Sequence, residues 1–192
     1  MKEILEEQIA RDLAQGKAMN SNNPVIDVYN QLRTARLNVK YHEAKLRRWR
    51  RSNFWMELLI AISASSTAAS AWFFQGTFGA CLWKILTGVT AILAIAKPML
   101  KLPDKIHRAD ELLAGYRMLD FDLERLTISI REKKCYNEEH KRQFSTALDR
   151  KRELLEEQKE SEPDEKLLNQ CYEKVLRELP AEEFYMPEES KI

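Results

Sequence analysis

Only three residues between positions 54 and 97 carry a charge, Glu57, Lys84 and Lys97, in a chain whose 192 residues include 31 Lys or Arg and 30 Asp or Glu. Residues 58–83 contain none at all. That gap excludes an ordinary solvated surface there, because a stretch that avoids charge so fully is one in which a charge is expensive. Glycine and proline are also scarce, at five and six. Five scattered glycines exclude a glycine-rich phosphate loop, and a chain dominated by Glu, Lys, Arg, Leu and Ala favours helix over sheet. The three cysteines, Cys81, Cys135 and Cys171, stand far apart, without metal-ligand spacing, and read as isolated reduced thiols. The three histidines, His42, His107 and His140, lie in charged helical segments, have no HExxH-type partner and read as solvated surface residues. No catalytic constellation stands out, so the sequence argues for no enzyme, no cofactor and no metal. The first fifteen residues are charged and amphipathic and show no signal-peptide core.

The net charge of +1 conceals a separation. Residues 1–53 carry 11 basic against 6 acidic side chains, and residues 98–192 carry 18 against 23. This divides the chain into an N-terminal helical region (1–53), an apolar middle (54–97) and an acidic C-terminal helical region (98–192). A bilayer core needs about 20 apolar helical residues. Residues 54–74 and 78–96 meet that length around the turn Gln75-Gly76-Thr77, which predicts a transmembrane helical hairpin. Basic residues flank it on both sides (Arg47, Arg48, Arg50, Arg51 before; Lys97 after), and the turn is uncharged. The positive-inside rule then predicts a multi-pass protein of the bacterial inner membrane with both termini cytoplasmic, the lipid bilayer as a partner, and Trp55 and Trp83 at the interfaces. Lys84 is a blemish that could snorkel outward beside Trp83.

Ser63, Ser66, Thr67 and Ser70 share one face of the first segment, and Thr87, Gly88, Ala91 and Ala94 make a similar stripe on the second. Close helix packing is the bland reading. The sharper one is a pore lined by hydroxyls, which two helices per chain could form only in an oligomer.

The flanking regions read as helices. Residues 2–15 carry Ile4, Leu5, Ile9 and Leu13 on one face. Asn22-Asn23-Pro24 is a helix start, with asparagine as cap and proline at the first helical position, and Val25, Val28, Leu32, Ala35, Val39 and Leu46 continue the stripe. Ala109, Leu112, Tyr116, Leu119, Leu123, Leu126 and Ile130 alternate spacings of three and four, the mark of a bundle or coiled-coil seam. Leu113, Phe121 and Ile128 lie off that seam, so a second face is expected to be covered as well, which suits a multi-helix bundle. The pattern falters at 133–140, resumes through Phe144, Ala147, Leu148, Leu154 and Leu155, breaks again at 156–165, and returns with Leu167, Leu168, Cys171, Tyr172, Val175 and Leu179 before Pro180. The acidic tail from Ala181 is expected to be mobile, although Phe184, Tyr185 and Met186 could dock on the bundle or on a partner. Arg131, Lys133, Lys134, Lys141 and Arg142 cluster where the pattern falters. A solvated charge run is preferred there over a phosphate or nucleotide site.

The layout is a long helix (VIDVYNQLRTARLNVKYHEAKLRRWRR), a span, a minimal turn, a second span and another long helix (KIHRADELLAGYRMLDFDLERLTISI). It resembles the SLATT family, two-transmembrane effectors associated with bacterial nucleotidyltransferase antiphage systems. The resemblance covers roughly residues 25–155 and rests on architecture rather than on a diagnostic motif. It implies a homo-oligomer, a tetramer among its symmetric forms, that acts as an ion channel or membrane-disrupting pore. A nucleotide or oligonucleotide signal from a companion nucleotidyltransferase would control it. The alternative is a non-conducting, membrane-anchored scaffold that recruits a cytoplasmic partner.

Overall fold

The computed structural model describes residues 23–66, 88, 89, 91, 92, 101–158 and 164–187. Among these residues the chain is all-α, as its composition predicts, and holds no strand. Four helices are present: α1 (Pro24–Ser66), α2 (Leu102–Lys133), α3 (Glu138–Glu157) and α4 (Glu165–Glu178), followed by a 3-10 turn at Ala181–Glu183. The chain divides into two units. One takes the described residues of Met1–Glu43 and Glu111–Ile192, the other those of Ala44–Asp110.

In the first unit α1 starts as its sequence dictates. Pro24 occupies the first helical position, where its missing N–H costs no hydrogen bond, and the Asn23 side chain accepts from the Val25 N–H at 3.0 Å. One stripe of α1 (Val25, Val28, Tyr29, Leu32, Ala35) joins Tyr116, Leu119, Leu123, Leu126 and Ile130 of α2 and Ala147 and Leu154 of α3 in the main core. A different face of α1, through Leu37, packs on Cys171 and Val175 of α4. Helix α1 is therefore apolar on two sides. That suits a central element, since a surface helix needs only one such stripe.

Polar contacts set the helix directions. Arg36 donates to both Asp120 oxygens (3.0 and 3.2 Å) and to Glu124 at 3.0 Å, while Arg117 lies 3.9 Å from Glu43, so α1 and α2 run antiparallel. Burial disfavours the Arg36 charge, but the two carboxylates outweigh it and hold the guanidinium above its ordinary value. Burial likewise pushes the Asp120 carboxyl up, against the pull of Arg36.

Helix α2 ends at Lys133 because Lys134 takes a left-handed conformation, φ 51°. Helix α3 then returns along α2. Arg150 pairs with Asp122, and the Tyr116 hydroxyl donates to Gln158 at 3.0 Å. Gly115 allows the two helices to approach closely, since a Cβ there would run into the Leu154 side chain. The seam of α2 differs by one position from its sequence reading: Leu113 is buried and Leu112 is only partly so.

Helix α4 is capped by Asp164, which accepts from the Leu167 N–H at 3.1 Å. The segment beyond it is docked through Pro187, contrary to the mobile tail expected. Phe184 stacks on Tyr29 with ring centroids 4.1 Å apart, and the Arg33 guanidinium lies 4.4 Å above the same ring. Arg33 also donates to the Leu179 carbonyl at 2.6 and 2.9 Å, and the Tyr185 N–H donates to the Tyr29 hydroxyl at 3.2 Å. Phe184, Tyr185 and Met186 all pack on the main core.

In the second unit Leu46, Leu102 and Ala109 are buried. Arg50 donates to both Asp110 oxygens (2.8 and 2.6 Å), and the Lys45 ammonium lies 5.0 Å from the Trp49 ring centre.

The predicted placement as a multi-pass inner-membrane protein with cytoplasmic termini is corrected by this structure. Among the described residues no helix is long and apolar enough to cross a membrane. Helix α1 has 43 residues, but its described charge-free end, 58–66, amounts at about 1.5 Å per residue to about 14 Å, against about 30 Å of hydrocarbon. The remainder of the predicted hairpin, apart from residues 88, 89, 91 and 92, lies outside the described residues.

Candidate functional site

The face of α2 turned away from the core carries three large exposed apolar side chains: Met118 (62% exposed), Phe121 (64%) and Ile128 (47%). Their spacings of three and seven put them on one stripe. Ala114, Arg125 and Glu132 fall on the same stripe and are exposed too. The sequence placed Phe121 and Ile128 on a second covered face. Among the described residues nothing covers that face, and of the three off-seam residues only Leu113 is buried. Isolated exposed hydrophobic residues are ordinary, whereas these three form one continuous apolar stripe.

The basic cluster spans the α2–α3 junction. Arg131, Lys133, Lys134, Lys141 and Arg142 are all exposed, and glutamates sit among them. Lys133 pairs with Glu139 at 2.8 Å and Lys141 with Glu138 at 3.5 Å. The Lys133 ammonium holds the Glu139 carboxyl below its ordinary value. Two of the five cations are thus matched within the junction, which is the pattern of a solvated charged rim.

That junction is built on a histidine that the sequence placed at the surface. His140 is fully buried. Asn137 caps α3 by accepting from the His140 N–H at 3.0 Å, and His140 Nδ1 accepts in return from the Asn137 N–H at 3.3 Å. With Nδ1 occupied as an acceptor, the ring proton sits on Nε2, 3.0 Å from the Ser129 hydroxyl. Burial and the nearby Lys133 charge lower the imidazole's proton affinity. His42 is also buried, stacked 5.2 Å from Tyr116, and only His107 is exposed. The signal for His140 was its place three residues after an asparagine at a helix start, where a capping box usually carries Glu or Gln.

The other predicted positions separate clearly. Ser63 and Ser66 lie within α1, and Ala91 is exposed. Thr67, Ser70, Trp83, Lys84, Thr87 and Lys97 lie outside the described residues. Arg47, Arg48, Arg50, Arg51 and Trp55 are exposed on α1. Among the described residues no group of His, Cys, Asp or Glu could hold a metal ion.

No family model matches the chain, and neither a curated protein nor a solved structure does. The SLATT resemblance rests on sequence layout alone.

Proposed function

We propose that this chain is an assembly module, which acts by binding other protein through the outer face of α2. The observation that carries the reading is the aligned, exposed set Met118, Phe121 and Ile128 on a helix whose opposite face is fully occupied by core. Interface cores are enriched in Phe and Met and in Arg, and Arg125 stands among these residues. The polar residues around the stripe, Arg117 and Glu111, supply the rim that such surfaces have.

Methionine oxidation tests this directly. A free methionine reacts with peroxide, and a covered one reacts slowly. In cells producing the full chain, Met118 should be oxidised several-fold more slowly than in the purified chain at high dilution. Equal rates in the two settings would overturn the reading, since an assembly face must spend part of its time covered.

A further inference from the structure

We propose that the α2–α3 junction is an acid-sensitive hinge, in which protonation of His140 opens residues 134–140 while the rest of α3 stays docked. The hinge does not depend on what binds the outer face of α2. The His140 ring is fully buried, and both of its nitrogens are engaged. Nε2–H faces the Ser129 hydroxyl of α2 at 3.0 Å, and Nδ1 accepts from the Asn137 N–H at 3.3 Å. A second proton must go to the Nδ1 lone pair, and that lone pair closes the capping box. A proton there sets two N–H donors against each other. It leaves the Asn137 N–H without its acceptor and puts a charge in a site sealed from water. The neutral ring fits the closed junction and the charged ring does not.

The surrounding charges leave burial to decide. On α2 the Lys133 ammonium opposes a charge on the ring, and on α3 the Glu139 carboxylate favours it. These two are paired with each other at 2.8 Å, so their pulls on the ring largely offset. The Cys135 carbonyl also favours the charged ring, but burial is the strongest influence and opposes it. Lys133 holds the Glu139 carboxyl below its ordinary value, so that pair outlasts the neutral ring as pH falls. Lys141 is paired with Glu138. The Tyr136 ring lies 6.1 Å from the imidazole, and burial, with Asp27 of α1 and Glu138 acting the same way, keeps its phenol neutral. Packing sets how far the opening runs. Lys134 is left-handed, φ 51°, a conformation that a lysine leaves readily. On one side Ile130 is held in the core. On the other, Phe144, Ala147 and Leu154 pack on the core and Arg150 pairs with Asp122. Tyr136, only partly buried, moves with the stretch between these anchors.

The decisive experiment follows hydrogen exchange from pH 7 to pH 5 in the full chain, purified in a mild detergent that keeps the apolar 58–83 run from aggregating. Rates are corrected for the intrinsic effect of pH on exchange. An exposed histidine titrates near about pH 6.5, and a closed form that excludes the proton loses ground by up to about tenfold per pH unit below that value. Protection of the Asn137 and His140 N–H groups, both bonded within the capping box, should therefore fall about tenfold over the range. Amides around Leu154 should change less than about threefold. His140→Gln places at the same helical position a residue that completes the capping box without titrating. Its junction should keep its protection within about threefold from pH 7 to pH 5. As a second measurement on the parent chain, nitrogen-15 shifts of the His140 ring should show Nδ1 unprotonated at pH 7 and titrating below about pH 6.5. Protection that is flat with pH in the parent, an equal loss in His140→Gln, a loss that spreads to Leu154, or a ring already charged at pH 7 overturns the hinge. The parent's exchange and ring titration decide the question by themselves if His140→Gln fails to fold.

Discussion

Replacing Phe184 by alanine should release the segment after α4 while leaving the helices folded. Phe184 is held by two contacts on α1, the Tyr29 ring at 4.1 Å and the Arg33 guanidinium at 4.4 Å. A fully buried Phe costs about 3–5 kcal/mol to truncate, but this ring is only partly buried, so about 1 kcal/mol of area loss is a fair share. The stacked pair adds about 0.5–1 kcal/mol and the cation about 0.5 kcal/mol at a site open on one side. The sum is about 2 kcal/mol, which multiplies the population of the released segment about thirtyfold. Hydrogen exchange reads this locally, because the Tyr185 N–H is bonded to the Tyr29 hydroxyl and exchanges when the segment lifts. The expected result is about thirtyfold faster exchange at Tyr185 with unchanged protection in the middle of α2. Tyr29→Phe should speed exchange less, since it removes one bond and keeps the stack. Exchange at Tyr185 within about threefold of the parent in Phe184→Ala would refute the reasoning and leave the Arg33–Leu179 bonds as what holds the segment.

Three further outcomes are expected. Gly115→Ala should destabilise the chain by about 1–3 kcal/mol in urea unfolding, because the new methyl meets Leu154, and adding Leu154→Ala should recover part of that loss rather than add to it. Tyr116, whose hydroxyl burial pushes up to about 12 from an ordinary 10, gives stability that is complete below pH 10 and is lost as pH rises toward 12. That loss is about 2–3 kcal/mol, and Tyr116→Phe should abolish this part of the alkaline slope. His140, with its proton affinity lowered in the folded chain, contributes stability that is complete above about pH 6.5 and is lost as pH falls below that value; a His140→Gln chain should show a flatter stability profile between pH 7 and 5.

Much of the helical plan is visible in the residues, since it rests on local rules. Asn23-Pro24 starts α1 as capping chemistry requires. The three-and-four spacing from Tyr116 to Ile130 is the buried seam of α2. What one chain's periodicity does not show is which neighbours a helix will have. The second buried face of α1, at Leu37 and Tyr41, exists because α4 lies there, and that pairing crosses more than 120 residues. The same limit explains Leu112 and Leu113, adjacent leucines that a seam admits equally until a partner selects one. Phe184, Tyr185 and Met186 form no periodic pattern, so only the aromatic surface of α1 reveals their place. Buried histidines resemble surface ones in sequence because the groups that satisfy His140, a backbone N–H and the Ser129 hydroxyl, have no charge to betray them. The stripe on α2 is legible as apolar; that it faces outward follows only once the opposite face is seen to be full.

The first unit is discontinuous in the chain, and this has a consequence for how the protein is made. Residues 24–43 leave the ribosome with two apolar faces, and the residues of α2, α3 and α4 that cover those faces are all encoded after residue 110. At about 5–20 residues per second, the first of them begins to emerge roughly 3–14 s later, and α4 later still. During that interval α1 is an amphipathic segment without a partner, the kind of species that chaperones hold and that truncated chains leave permanently exposed.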